Sequence, residues 1–237
     1  MELGLDGKIA LVTGSSKGLG RACAASLSRE GARVAICARH AEPLREAEAS
    51  LEGETLALVA DVTDPEEPQR LVQSTVDRFG GLNVLVANAG GPPAARALDV
   101  DDASLEAALN ANLLGSIRLV RAAVPHMRET GWGRIVLITS RTVKQPNPSL
   151  ALSNTARTGL WAWAKTAAQD LFADGITLNL VAPGTHATDR AVELGLTGPM
   201  GEPADFGDAV AFLCSEQARF ITASAVSIDG GETLGLL

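Results

Sequence analysis

The amino-acid sequence predicts a single α/β domain built on a doubly wound parallel sheet with helices on both faces. Three observations predict it. Short runs of aliphatic and β-branched residues alternate with longer amphipathic stretches from one end of the chain to the other. Those short runs are continuously apolar rather than alternating, the pattern of strands covered on both sides. The length of 237 residues suffices for one large core and fits one sizeable domain, 1–237, better than two small ones.

In order, KIALVT precedes the helical stretch GLGRACAASLSREG, RVAICA precedes AEPLREAEASLEG, and TLALVA precedes DPEEPQRLVQSTVDRFG. NVLVANAG leads into one long helical run, DASLEAALNANLLGSIRLVRAAVPHM, and GRIVLITS leads into LSNTARTGLWAWAKTAAQDLFADG. ITLNLVAPG, a short helix near DFGDAVAFLCS and a last strand near AVSIDGG complete the pattern. Asp64-Pro65 supplies an N-cap and a proline for the first helical position, and Gly31, Gly53 and Gly80 are placed to close helices. No linker, low-complexity tract or strong internal repeat interrupts the series.

The composition, 46% hydrophobic and 20% charged, is that of a globular chain. A net charge of −8 argues against a nucleic-acid partner, which needs clustered Lys and Arg to replace counterions. Cys23, Cys37 and Cys214 are odd in number and lack any C-x-x-C spacing, so neither a disulfide framework nor a metal site is expected, and the expected compartment is the cytoplasm. The N-terminal stretch MELGLDGKIALVTG has no signal-peptide character, and no apolar run approaches membrane-spanning length, so no membrane partner is expected.

Chemistry begins at TGSSKGLG, which directly follows the first strand and opens the first helix. Gly14, Gly18 and Gly20 let the chain turn sharply and bring backbone N–H groups against a pyrophosphate. Ser16, Lys17 and Leu19 fill the rest of the loop. This is the context of a Rossmann-type dinucleotide fold, although a plain tight turn would also use such glycines. The second strand ends in Ala38-Arg39, where an acidic residue would be expected for an unphosphorylated ribose. Lys17 and Arg39 converging on a ribose 2′-phosphate would select NADP rather than NAD; the alternative is that both are solvated surface charges.

These residues, in this order, resemble the short-chain dehydrogenase/reductase family over nearly the whole chain, most closely its 3-oxoacyl-acyl carrier protein reductases. TGSSKGLG resembles the family's cofactor loop, Asp61-Val62 its adenine contact, and ANAG, with Asn88, Ala89 and Gly90, its N-N-A-G signature with the first Asn changed. Asn112 in NANLLG matches the family's helix asparagine and Ser140 its catalytic serine. Pro183-Gly184 and Thr188 match the segment beside the nicotinamide, and SIDGG matches the closing strand. The resemblance implies a Tyr-x-x-x-Lys motif about a dozen residues past the serine, yet this register holds Ser153 and Arg157, and the chain has no tyrosine. Trp161-x-x-x-Lys165 lies two helical turns further on, too far to face the same pocket.

The replacement has chemical consequences. A phenol ionises near pKa ~10, whereas an aliphatic hydroxyl resembles water at ~15.7, so Ser153 is the poorer proton shuttle by roughly 8 kcal/mol. Arg157 could still bind ribose hydroxyls and stabilise an alkoxide, but it cannot relay a proton. His186 is a substitute proton source or else a solvent-facing loop residue. Arg141 and Lys144 could frame an anionic substrate or be merely solvated, and His40 and His126 look structural. Between Asp189 and Gly198 the chain is shorter than is usual for the family by roughly a small helix, which implies a more open pocket able to admit a carrier-tethered substrate.

Three functions follow. The first is an NADP-dependent oxidoreductase acting on a small-molecule or carrier-tethered carbonyl or alcohol. The second is a catalytically silent NADP-binding member serving as sensor or regulatory partner, and the third is elimination or isomerisation on the same scaffold. The family's habit of forming tetramers, together with ETLGLL and LWAWA, implies a homo-oligomer, tetramer or dimer.

Overall fold

The computed structural model describes residues 2–236. Seven strands, β1 Ile9–Thr13, β2 Arg33–Ala38, β3 Thr55–Val59, β4 Val84–Ala87, β5 Gly133–Ile138, β6 Ile176–Pro183 and β7 Ala225–Ile228, form one sheet in the order β3-β2-β1-β4-β5-β6-β7. Every pairing is parallel. The apolar runs are continuous because successive residues feed opposite cores. Ile9 and Leu11 pack on one face with α3 Glu67–Phe79, α5 Gly115–Thr130 and α6 Ala151–Phe172. Ala10 and Val12 pack on the other with α1 Gly18–Arg29, α2 Ala41–Ala49 and α8 Pro203–Leu213. Strand order reverses between β1 and β4, and in such sheets the crevice beyond the carboxyl ends at that switch point is where ligands bind.

Three local expectations need correction. Asp64-Pro65 does not start α3. Asp64 instead closes a turn, its carboxylate accepting from the Glu66 N–H at 3.0 Å and its carbonyl from Glu67 N–H at 3.3 Å. The helix begins at Glu67 with Pro68 in its first turn, where a missing N–H costs nothing. At its other end Gly80 takes the left-handed conformation, φ +89°, as expected. Gly53 does not end α2, which stops at Ala49 with the Ser50 hydroxyl donating to the Ala47 carbonyl at 2.7 Å. The long run read as one helix is helical throughout but not uniform: between α4 Asp102–Leu109 and α5 it winds as one π turn, Asn110–Leu114.

After β6 the chain makes a single helical turn, α7 Asp189–Glu193. Beyond it the chain returns to pair His186 with Gly201 in an isolated parallel bridge. Among the described residues no helix is long and apolar enough to cross a membrane.

Candidate active site

Two loops at the switch point are sewn together by a polar side chain from each. Thr13 Oγ1 donates to the Asn88 carbonyl at 2.8 Å and accepts from the Asn88 N–H at 2.9 Å, while Asn88 Nδ2 donates to the Gly14 carbonyl at 2.9 Å. There is no room for a side chain at Gly14, where a Cβ would lie 2.8 Å from the Asn88 carbonyl oxygen; a Cβ at Gly20 would collide with the Gly14 carbonyl. The first turn of α1 carries no side-chain cap and no acidic residue, so its orphan N–H groups are left for an anion. This cradle suits a pyrophosphate.

The two cations assigned to the ribose 2′ position have separate surroundings. Lys17 pairs with Asp189 at 3.3 Å and Glu193 at 3.8 Å, both on α7. Arg39 is exposed beside Asp61. The Asp61 carboxyl is held below its usual range first by the Thr63 N–H at 3.0 Å and also by the Thr63 hydroxyl at 2.8 Å, with Arg39 a smaller influence. Val62 lies against the π turn, since a Cβ on Gly115 would come within 3.0 Å of its carbonyl oxygen.

Asn112 sits in that π turn, 4% exposed, with a buried Oδ1 that has no partner among the described residues. Its neighbour Asn110 fixes the turn by donating from Nδ2 to the Thr63 carbonyl at 2.8 Å and accepting from Arg118 at 2.7 Å. π turns of this kind recur at functional sites. Ser140 follows β5 in extended conformation, its hydroxyl oxygen accepting from Thr142 N–H at 3.2 Å. Ser153 and Arg157, one turn apart on α6, are both buried.

Arg157 has partners that the sequence reading did not foresee. Its Nη1 donates to the carbonyls of Ile138 at 3.0 Å and Thr139 at 2.6 Å, and its Nη2 to that of Ala89 at 3.2 Å. Nε is buried without a partner, and no carboxylate pairs with the side chain among the described residues. Burial pushes the guanidinium down to about 10, which still leaves it charged at neutral pH. Three of its five N–H groups are thus spent on main-chain carbonyls at the ends of β4 and β5, which leaves one on Nη2 and the one on Nε.

His186 does not face solvent. It is 6% exposed, its Nδ1 lies 3.1 Å from the Gly184 carbonyl, and its ring meets Phe206 of α8 edge-on at 5.2 Å. Gly201 fits against its other edge, where a Cβ would come within 2.9 Å of Cδ2. The ring is packed into the body of the protein.

Gly184 is required by close approach, since a Cβ there would lie 2.7 Å from Asp229. Thr188 begins α7 and packs its methyl beside Gly18. Sequence reading missed what holds the loops after β5 and β6. Glu232 accepts from Thr185 N–H at 2.7 Å and pairs with Arg141 at 2.9 Å, and the Leu234 N–H donates to Gln145 at 2.8 Å. Thr13 was missed as well; its place one residue before the first loop glycine was the available signal.

Residues 8–197 match the model of the short chain dehydrogenase family. The chain is 33% identical over 244 aligned positions to dehydrogenase/reductase SDR family member 4 of Homo sapiens, with 96% of this chain and 88% of that protein covered. It is 34% identical over 238 positions to the 3-oxoacyl-acyl-carrier-protein reductase of Haemophilus influenzae, with 96% and 98% covered. The L-sorbose reductase of Gluconobacter frateurii, solved with NADPH and L-sorbose, superposes with a TM-score of 0.93 at 30% identity over the whole of both chains. With a seven-stranded Rossmann-like sheet and a family match spanning most of its length, this chain belongs to the short chain dehydrogenase family.

Proposed function

We propose that the protein is an NADP-dependent oxidoreductase that interconverts a carbonyl and an alcohol at a non-standard active site. The observation that carries the cofactor reading is the cradle: two loops sewn together by Thr13 and Asn88, facing an α1 terminus whose first turn is uncapped. The sorbose reductase was solved in complex with NADPH, which supports the choice of cofactor. Gly14, Ser16, Gly18, Leu19 and Gly20 would hold the pyrophosphate, and Lys17 with Arg39 the 2′-phosphate. Asp61 and Val62 would lie at the adenine, and Asn88, Ala89, Gly90, Pro183, Gly184 and Thr188 along the nicotinamide half. When bound, the cofactor supplies a hydride to a carbonyl carbon or removes one from an alcohol.

The chain's own residues then handle the oxygen. Ser140 donates a hydrogen bond to it, and the buried Arg157 charge favours negative charge developing nearby. Ser153 is too weak an acid to serve as the phenol would, so in reduction the proton comes from water. The unpartnered Asn112 Oδ1 is suited to order such a water. His186 carries no step, because its ring is enclosed by Phe206 and Gly201.

The second reading, a catalytically silent NADP-binding member, is favoured by one observation, the commitment of Arg157 to three carbonyl oxygens. NADPH oxidation over a panel of carbonyl compounds, with the natural protein beside Ser153→Tyr/Arg157→Lys, separates the two. The oxidoreductase reading expects measurable turnover in the natural protein and a rise of about 10²–10⁴-fold in the double variant, the usual worth of a positioned general acid. An inert natural protein alongside an active double variant would establish the silent reading.

A further inference from the structure

The crevice at the switch point lies between the loop after β1 and the loop after β4, and α7 reaches both. Asp189 and Glu193, four residues apart, stand on one face of its single turn, and both carboxylates reach the Lys17 ammonium, at 3.3 and 3.8 Å. On the other side Arg190 donates from Nη2 to the Pro92 carbonyl at 3.3 Å. Thr188 holds the start of the turn against Gly18. A groove of about 470 Å³, bordered by Lys17, Arg21, Thr188 and Asp189, runs along the outer side of this contact. The cation assigned to the cofactor's 2′-phosphate is thus already neutralised by two acids from a different element.

We propose that Asp189 and Glu193 are specificity-determining residues that compete with the cofactor's 2′-phosphate for Lys17, and so set how strongly the chain selects NADP over NAD. This rests on the NADP reading above. The three side chains are 63%, 68% and 54% exposed, so the ion pairs are screened by water and individually weak. A doubly charged phosphate is the stronger partner for an ammonium, and exchange toward it is favourable. NADH carries no such group, so it binds without disturbing the pairs. The acids therefore weaken NADPH binding by about 2- to 5-fold at low salt, the range of an exposed ion pair, and the effect fades as salt screens it.

The test is a fluorescence titration of NADPH and NADH against the natural protein, Asp189→Asn/Glu193→Gln, Lys17→Met, and the three substitutions combined. Each is run at low salt and at about 0.5 M salt, where charges are largely screened. The double replacement is expected to tighten NADPH by about 2- to 5-fold at low salt and to leave NADH unchanged. No gain is expected in the Lys17→Met background. An equal gain for both cofactors, or a gain that persists without Lys17, would mean only that two negative charges had been removed from the neighbourhood, and the inference would be wrong. A natural protein that binds neither cofactor would overturn the cofactor reading itself, a separate and distinguishable failure.

Discussion

Replacing Arg157 by methionine tests whether this residue joins the strand ends or touches the cofactor. The substitution keeps most of the volume but removes three charge-assisted hydrogen bonds, to Ile138, Thr139 and Ala89. At a net of about 1.5 kcal/mol each, these amount to roughly 4–5 kcal/mol. That is the expected loss of stability, and it corresponds to roughly 8–20 °C in Tm for a chain of this size. Urea and thermal unfolding measure that loss, and an NADPH titration of the same variant measures what happens at the cofactor site. The account expects the stability loss with NADPH affinity changed by less than about 3-fold, under 1 kcal/mol. Unchanged stability with a tenfold or greater loss of NADPH affinity would restore Arg157 to the ribose and refute the assignment drawn from its partners.

Three further outcomes follow from the buried thiols and the exposed apolar side chains. Cys23, Cys37 and Cys214 are all within 1% of full burial, and burial pushes Cys37 and Cys214 up to about 12 and raises Cys23 as well. A thiol raised in this way adds stability that is fully present below the ordinary value of 9.0 and is lost as pH rises toward 12. Unfolding free energies from urea titrations at pH 8 and pH 10 should then differ by about 1 kcal/mol per thiol in favour of the lower pH. A thiol reagent at pH 8 should modify none of the three without denaturant, and rapid native-state labelling would contradict their placement. The exposed Phe220, Phe212 and Leu234 support the expectation of a homo-oligomer, so light scattering should give a dimer or tetramer mass, whereas a monomer mass would discard it.

What was legible in the sequence was local. Strands read correctly because burial on both faces leaves a continuous apolar run, and the glycine loop because a tight strand-to-helix turn depends on consecutive backbone positions. The π turn between α4 and α5 was invisible, since Asn110–Leu114 are compatible with an α-helix and only the Gly115 N–H reaching back five residues to the Asn110 carbonyl marks it. Arg157 was placed in the right element, but its partner Ala89 lies 68 residues away and only the folded chain brings it near. Lys17 was correctly read as a loop cation, while its pairing with α7 depends on how a loop from the far end of the chain returns. His186 shows the same limit: its packing on Phe206 is set by α8.

The central claim is that the chain binds NADP through the cradle made by the two sewn loops and the α1 terminus. An NADPH titration followed by fluorescence tests it most directly, with Gly20→Ala as the control, because a Cβ there collides with the Gly14 carbonyl. The account predicts saturable binding at micromolar concentrations by the natural protein, lost in Gly20→Ala. No binding by the natural protein below about 1 mM, an affinity of only ~4 kcal/mol, or equal binding by Gly20→Ala, would contradict it.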